Sequence, residues 1–295
     1  VEEEVMKRSH AVVIAVLVVA GVLLAFASGV NEPDPIYVVF TIDTERDVPP
    51  LLEGSSGIEK GIPLLLSLFE EHGVRATFLV TGHVAENYPD VVQQIAYDHE
   101  VGCHGMYHDV ALSSLGYQEK VERIEEATAI IASVTGSKPT SFRAPGHSCD
   151  TEVIRILEGL GYTVEASCYQ GDSYPYHPSW DDWTEVGDMN MLRIPASNAP
   201  DYFYPFYYHD TEWSIPFEHV INMQNDRPET IVVIGLHPWE LCNFDLPEEY
   251  GAIEESCGPH TYQRLVAFLE YLHDKNVEYV TLAEAYELLI SDGAS

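Results

Sequence analysis

The sequence predicts an α/β fold: a parallel sheet of seven or eight strands closed into a (β/α) barrel. Three observations carry this. Short β-branched or aromatic runs bounded by turn residues alternate with longer segments of helical spacing. Several of the short runs are apolar at nearly every position, as strands covered on both faces are. Seven or eight such units follow one another without an internal repeat or low-complexity linker, which favours a barrel in one domain over residues 31–295.

Along the chain, strands are expected at 36–42, 75–80, 100–103, 141–143, 162–166, 191–194, 231–236 and 278–281. Helices are expected between them. The first, 59–72, is ended by Gly73, and the next, 89–98, has Pro89 in its first turn. Tyr117, Val121, Ile124, Thr128 and Ile131 recur at helical spacing with Glu and Lys opposite, which marks a core-facing helix. Asp150 caps 151–160 and Gly161 stops it; 216–224, 260–274 and 282–290 complete the set. Residues 200–215, rich in Tyr, Phe and Trp, read as a long loop. Its Tyr202, Phe203, Tyr204, Tyr207 and Tyr208 suit either stacking on sugar rings or packing of the loop itself.

Of 295 residues, 14 are Lys or Arg and 48 are Asp or Glu, a formal net charge of −34. Phosphate recognition needs clustered cations, so no nucleic-acid partner is expected. A hydrophobic share of 46% beside 21% charged residues describes a chain with a real core.

Residues 11–28 carry no charge and follow Lys7 and Arg8. Such a run at residues 1–30 is expected to be a signal peptide or a membrane anchor, with Ala25-Phe26-Ala27 fitting a cleavage site. In either case the remainder is expected to be exported, anchored facing outward or secreted. The five cysteines then fall where disulfides persist. Pairing of Cys242 with Cys257 and of Cys149 with Cys168 is expected, leaving Cys103 as a buried thiol, and the spacing does not suit a cysteine-ligated metal.

In a parallel barrel the loops after the strands share one rim, and that rim carries the chemistry. Here the first strand ends in Thr41-Ile42-Asp43-Thr44-Glu45, the third in His104-Gly105-Met106-Tyr107-His108, the fourth in Phe142-Arg143-Ala144-Pro145-Gly146, and the seventh in Gly235-Leu236-His237-Pro238-Trp239-Glu240. Histidines at i and i+4 on one turn would present both imidazoles to one side, and a carboxylate from another strand end would complete a site with open positions for water and substrate. Taken singly, each residue has a plainer reading: hydrogen-bonded histidines for His104 and His108, a solvated carboxylate for Glu45, a structural ion pair for Arg143, a core histidine for His237. Together they suit hydrolysis, with Asp43 as base for the water, His237 as acid for the leaving amine and Arg143 holding Asp43.

The order Thr-x-Asp, His-x-x-x-His, Arg-x-Pro-Gly and Leu-x-His, with Ala76-Thr77-Phe78-Leu79-Val80-Thr81-Gly82 after the first helix, resembles the polysaccharide deacetylases of carbohydrate esterase family four, the NodB homology domain. The resemblance covers about residues 36–290. It implies a distorted barrel of about seven strands, a divalent metal (zinc foremost, cobalt or another ion next) and removal of N-acetyl groups from an amino-sugar glycan. Carried over by position, it implies Asp43 as base, His104 and His108 as metal ligands, Arg143 as tether of the base and His237 as general acid. The family commonly has a second aspartate directly after the first; here Thr44 stands there, and Glu45, one residue later, is the candidate third ligand. Asp182 and Trp183 loosely match the family's fourth motif, an Asp with a nearby Trp that tunes the catalytic histidine, and, with Pro145, are assigned to the substrate side. Two other readings stay open: an allantoinase-like hydrolase of small amides, and a non-catalytic glycan-binding protein that has lost its metal.

Overall fold

The structure, a computed structural model, describes residues 34–168, 174–198 and 201–291. The expected signal or anchor at 1–30 lies outside the described residues. Among the described residues no helix is long and apolar enough to cross a membrane. The unit from Pro35 onward holds the fold.

Among the described residues eight strands form one sheet in which every strand-to-strand pairing is parallel: β1 (Ile36–Thr44), β2 (Ala76–Val80), β3 (Glu100–Cys103), β4 (Ser141–Phe142), β5 (Val164–Glu165), β6 (Leu192–Arg193), β7 (Thr230–Leu236) and β8 (Val277–Tyr279). Their order is β6-β5-β4-β3-β2-β1-β7, with β8 beside β1. The sheet curls but is not a closed barrel among the described residues. The gap between β6 and β7 is bridged where Ser197 N donates to Val233 O at 2.9 Å and Gly235 N donates to Phe203 O at 2.8 Å. The distortion expected from the resemblance has a local cause: β4, β5 and β6 are only two residues long.

Alternation along β1 decides what reaches the rim. Val38, Phe40 and Ile42 join the large core under the helices, whereas Val39 joins Leu79, Val164, Ile194, Ile231 and Val233 in a smaller core. Side chains two apart share a face. Thr41 and Asp43 therefore continue the Val39 side toward the strand's C-terminal end. Leu282, Ala285 and Leu289 of the last helix, Leu282–Ser291, belong to that same smaller core.

Most helices fall where spacing puts them, including Pro89–Asp98, Tyr117–Thr135 and Thr151–Leu160. Asp150 caps the last of these by accepting from Val153 N at 2.8 Å. Gly82–Asn87 was not expected as a helix, because six residues are too few to reveal a helical period. Residues 201–213 are loop with a short turn at Pro205–Tyr207, and Ser214 already opens the helix Ser214–Met223. Phe203, Tyr204 and Tyr208 are buried, so three of its five singled-out aromatics pack the interior, while Tyr207 is exposed.

The expected disulfides are corrected. All five cysteines are free thiols. Cys149 packs at the edge of the large core and Cys168 sits in a separate cluster with Ala196 and Tyr204. Cys242 Sγ instead donates to Ser56 O at 3.4 Å. Spacing in sequence says nothing about which way a Cβ points, and a disulfide requires that.

Candidate metal centre

Strand pairing delivers the polar residues to one rim. His104 N donates to Val80 O at 2.8 Å and Arg143 N to Cys103 O at 3.0 Å, so both continue the sheet just beyond their strands. Glu45 Oε2 lies 3.4 Å from His104 Nε2 and 3.6 Å from His108 Nε2. The three ligand atoms lie within 4.8 Å of one another. Two donors about 2.1 Å from one tetrahedral ion stand roughly 3.4 Å apart, so these separations suit a shared cation.

Three further observations fit such an ion. Glu45 Oε2 is buried and has no hydrogen-bond partner, a costly state for a carboxylate oxygen that lacks a cation. His104 Nδ1–H donates to Arg143 O at 2.9 Å, which leaves Nε2 bare and turned to Glu45. Burial pushes the His108 imidazole down, against the pull of Glu45, and so favours the neutral ligating form. The expected helical turn between the histidines is corrected: they stand on a loop bent by Gly105, whose φ is 69°. The rings nevertheless lie 5.9 Å apart between centroids.

Asp43 lies beside this group, fully buried. Arg143 Nη1 donates to its Oδ1 at 2.7 Å, and the Tyr204 hydroxyl donates to its Oδ2 at 3.1 Å. Burial alone would raise the Asp43 carboxyl, but the Arg143 guanidinium, aided by His104 and His237, more than reverses this and holds it well below the usual carboxylate range. Arg143 is itself fixed, with Nε donating to Ala166 O at 2.8 Å and Nη2 to Thr41 Oγ1 at 3.0 Å.

His237 faces Asp43 from the end of β7. Its Nε2 lies 3.7 Å from Asp43 Oδ2 and 3.8 Å from Glu45 Oε1, while its Nδ1–H donates to Glu240 Oε1 at 2.7 Å. Trp239 stacks on the ring at 4.5 Å between centroids. Burial would lower His237, yet Glu240 first, then Asp43 and Glu45, raise it to about 9. Within this coupled pair the proton stays on His237.

A cleft of about 260 Å³ opens beside the centre, lined by Glu45, Arg46, Thr81, His83, Tyr107, His108 and Asp109. The six residues expected to act together, Asp43, Glu45, His104, His108, Arg143 and His237, all meet here. Of the other three, Pro145 adjoins the group and Asp182 and Trp183 are held elsewhere. Pro145 is buried, with its ring against Gly105. Asp182 is exposed and accepts from Thr184 N and Oγ1. Trp183 lies under the Arg193 guanidinium, 4.3 Å from ring centroid to Cζ, and Arg193 pairs with Glu165 at 3.0 Å. The partner of His237 is Glu240, three residues on, and not the Asp182-Trp183 pair.

Sequence reasoning names Glu240 at the rim and Tyr204 among the loop aromatics but misses what each does: Glu240 pairs with His237 and Tyr204 donates to Asp43. A signal existed for Glu240, since a carboxylate three residues after a strand-end histidine lies within reach of its ring. For Tyr204 the signal is Gly235: a Cβ there would fall inside the Tyr204 ring. Gly235→Ala is expected to displace Tyr204 from Asp43 and to cost roughly 1–3 kcal/mol, the usual range for overpacking a core. Urea denaturation measures this, and an unchanged midpoint with unchanged slope would count against it.

A family model described as polysaccharide deacetylase matches residues 31–164. Among curated relatives, the peptidoglycan deacetylase of Helicobacter pylori is 29% identical over 130 residues, 43% of this chain and 44% of that protein. A chitin deacetylase of Colletotrichum lindemuthianum is 37% identical over 110 residues, 35% of this chain and 43% of that protein. The chain thus spans less than half the length of either relative. A solved structure from Mycobacterium smegmatis, provisionally assigned to the polysaccharide deacetylases, shares the fold with a TM-score of 0.65 at 19% identity, over 89% of this chain and 93% of that one. Residues 31–164, which hold the Thr-x-Asp, His-x-x-x-His and Arg-x-Pro-Gly motifs, thus match the polysaccharide deacetylase family that the motifs resemble.

Proposed function

We propose that this protein is a divalent-metal-dependent hydrolase that removes N-acetyl groups from an amino-sugar-containing glycan, and that it acts outside the cell, anchored or secreted through residues 1–30. The observation that carries the chemistry is the meeting of buried Glu45 and His104 with half-buried His108 around one point, with Asp43 and His237 alongside. The glycan half of the reading is supported by the names of the relatives, and the location by the uncharged run at 11–28.

Glu45, His104 and His108 would hold the ion, which supplies Lewis acidity toward an acyl carbonyl and lowers the pKa of a coordinated water. Asp43 receives the proton of the attacking water through Oδ2, while Arg143 on Oδ1 and Tyr204 on Oδ2 fix the carboxylate's direction. His237, kept protonated by Glu240, gives its Nε2 proton to the departing nitrogen, so that acetate and a free amine leave. The Trp239 face against the imidazole favours the cationic form further.

The test is an acetate-release screen over peptidoglycan, chitin oligomers and acetylated xylan. Release from at least one N-acetylated glycan is expected, abolished by chelator and restored by Zn2+ or Co2+. Turnover of allantoin in place of any glycan would move the reading to small amides. Protein that binds glycan but holds no ion and releases no acetate would make it a binding protein.

A further inference from the structure

The segment that supplies Arg143 ends on His147, to which the chemistry above gives no task. His147 has φ 56° and follows Gly146 at φ 57°. A left-handed backbone is unfavourable for any residue with a Cβ, and it persists where the surroundings over-determine it. Here they do. Cys168 N–H donates to His147 Nδ1 at 3.1 Å, and His147 N donates to Ala144 O at 2.9 Å. The ring meets Tyr204 edge-on at 5.7 Å and Tyr202 at 6.3 Å between centroids.

The segment also borders the candidate metal centre. A Cβ on Gly146 would lie 3.6 Å from His108 Cε1 and 3.8 Å from its Nε2. Tyr204, against which His147 packs, is the residue that donates to Asp43.

A backbone N–H can only donate, so Nδ1 of His147 must be the bare nitrogen and the ring's one proton must sit on Nε2. Burial, with the Arg143 guanidinium second, pushes this imidazole down to about 3, which keeps it neutral at physiological pH. Among the described residues Nε2–H has no hydrogen-bond partner, and the residue is half-buried. His147 and His237 thus share a rim in opposite states, one a neutral donor and the other a proton-giving cation.

We propose that His147 is a substrate-binding residue whose neutral Nε2–H donates to a hydroxyl oxygen of the amino sugar, on the Tyr202 and Tyr204 side of Asp43. This rests on the deacetylase reading above. The acyl carbonyl belongs with the Glu45, His104 and His108 group, so the oxygen left for this side of the site is a sugar hydroxyl.

Steady-state acetate release from chitotetraose by the zinc-supplemented protein tests it, together with calorimetric binding of the same oligomer. His147→Phe is expected to raise KM and Kd about three- to tenfold, the worth of one neutral hydrogen bond, with kcat within about twofold. His147→Gln, which restores a side-chain N–H, should recover most of that loss. In ¹⁵N NMR spectra of the wild type, the His147 ring should show the neutral Nε2–H tautomer between pH 5 and pH 8. A Phe variant with wild-type KM, a Gln variant no better than Phe, or a proton found on Nδ1 overturns this assignment alone. Wild type that neither binds nor deacetylates chitotetraose overturns it together with the deacetylase reading for that substrate.

Discussion

Glu45→Gln is expected to erase metal-induced stabilisation while leaving the metal-free protein at least as stable as the wild type. The carboxylate's Oε2 is buried without a hydrogen-bond partner, so in metal-free protein it is a desolvated charge, and neutralising it removes that cost. With zinc at a thousandfold excess over Kd the wild type should gain about 4 kcal/mol, on the order of 10 °C in Tm for a domain of this size. His104→Ala should lose the same gain, since its Nε2 faces Glu45 at 3.4 Å. Both variants should lose acetate release by about a thousandfold, if loss of the ion removes roughly 4 kcal/mol of transition-state stabilisation. Thermal melts of chelator-stripped and zinc-loaded samples decide the matter. A full zinc shift surviving in both variants would remove the ligand assignment and the hydrolytic mechanism with it.

Changing the partner of His237 should move the alkaline limb of the rate profile toward lower pH. Glu240 is the largest influence raising His237, which titrates at about 9, so the wild type keeps its acid protonated through neutral pH and loses rate only as pH rises through that value. Glu240→Gln retains an acceptor for Nδ1–H but removes the charge. The expected result is little loss at pH 6 and a loss of about tenfold at pH 8. His237→Ala removes the acid altogether and should cost on the order of 10²–10⁴-fold in kcat at every pH. The same pairing has a stability consequence. Because the folded state raises the His237 pKa above its unfolded value near 6.5, its contribution is complete below that pH and is lost as pH climbs through about 9. Asp43 behaves oppositely: held low by Arg143, it stays ionised far into acid, and its contribution is lost only there. A Glu240→Gln profile that overlays the wild type would show that Glu240 does not set the charge of His237.

Much of this was legible in residue order. Apolar runs such as 36–42 and 231–236 could only be strands buried on both faces, and parallel strands joined through helices must all present their C-terminal ends on one side. That rule alone brings Asp43, Glu45, His104, His108, Arg143 and His237 to one rim, although Asp43 and Arg143 lie 100 residues apart. Side-chain alternation along β1 then separates Asp43 from its neighbour Ile42.

Contacts made by loops were not legible. Tyr204 reaches Asp43 across 161 residues from a loop with no periodicity to read, and only the space left by Gly235 admits it. Asp182-Trp183 looked like the motif that tunes His237, yet that chain segment carries Trp183 to Arg193, and Glu240 takes the place. The cysteines failed for the same reason. Periodicity records which residues share a face, because the backbone repeats every two or 3.6 residues. Which irregular segments meet is settled by packing among all of them at once, so sequence determined the rim and its six chemical groups, and tertiary structure decided which neighbours set their charge.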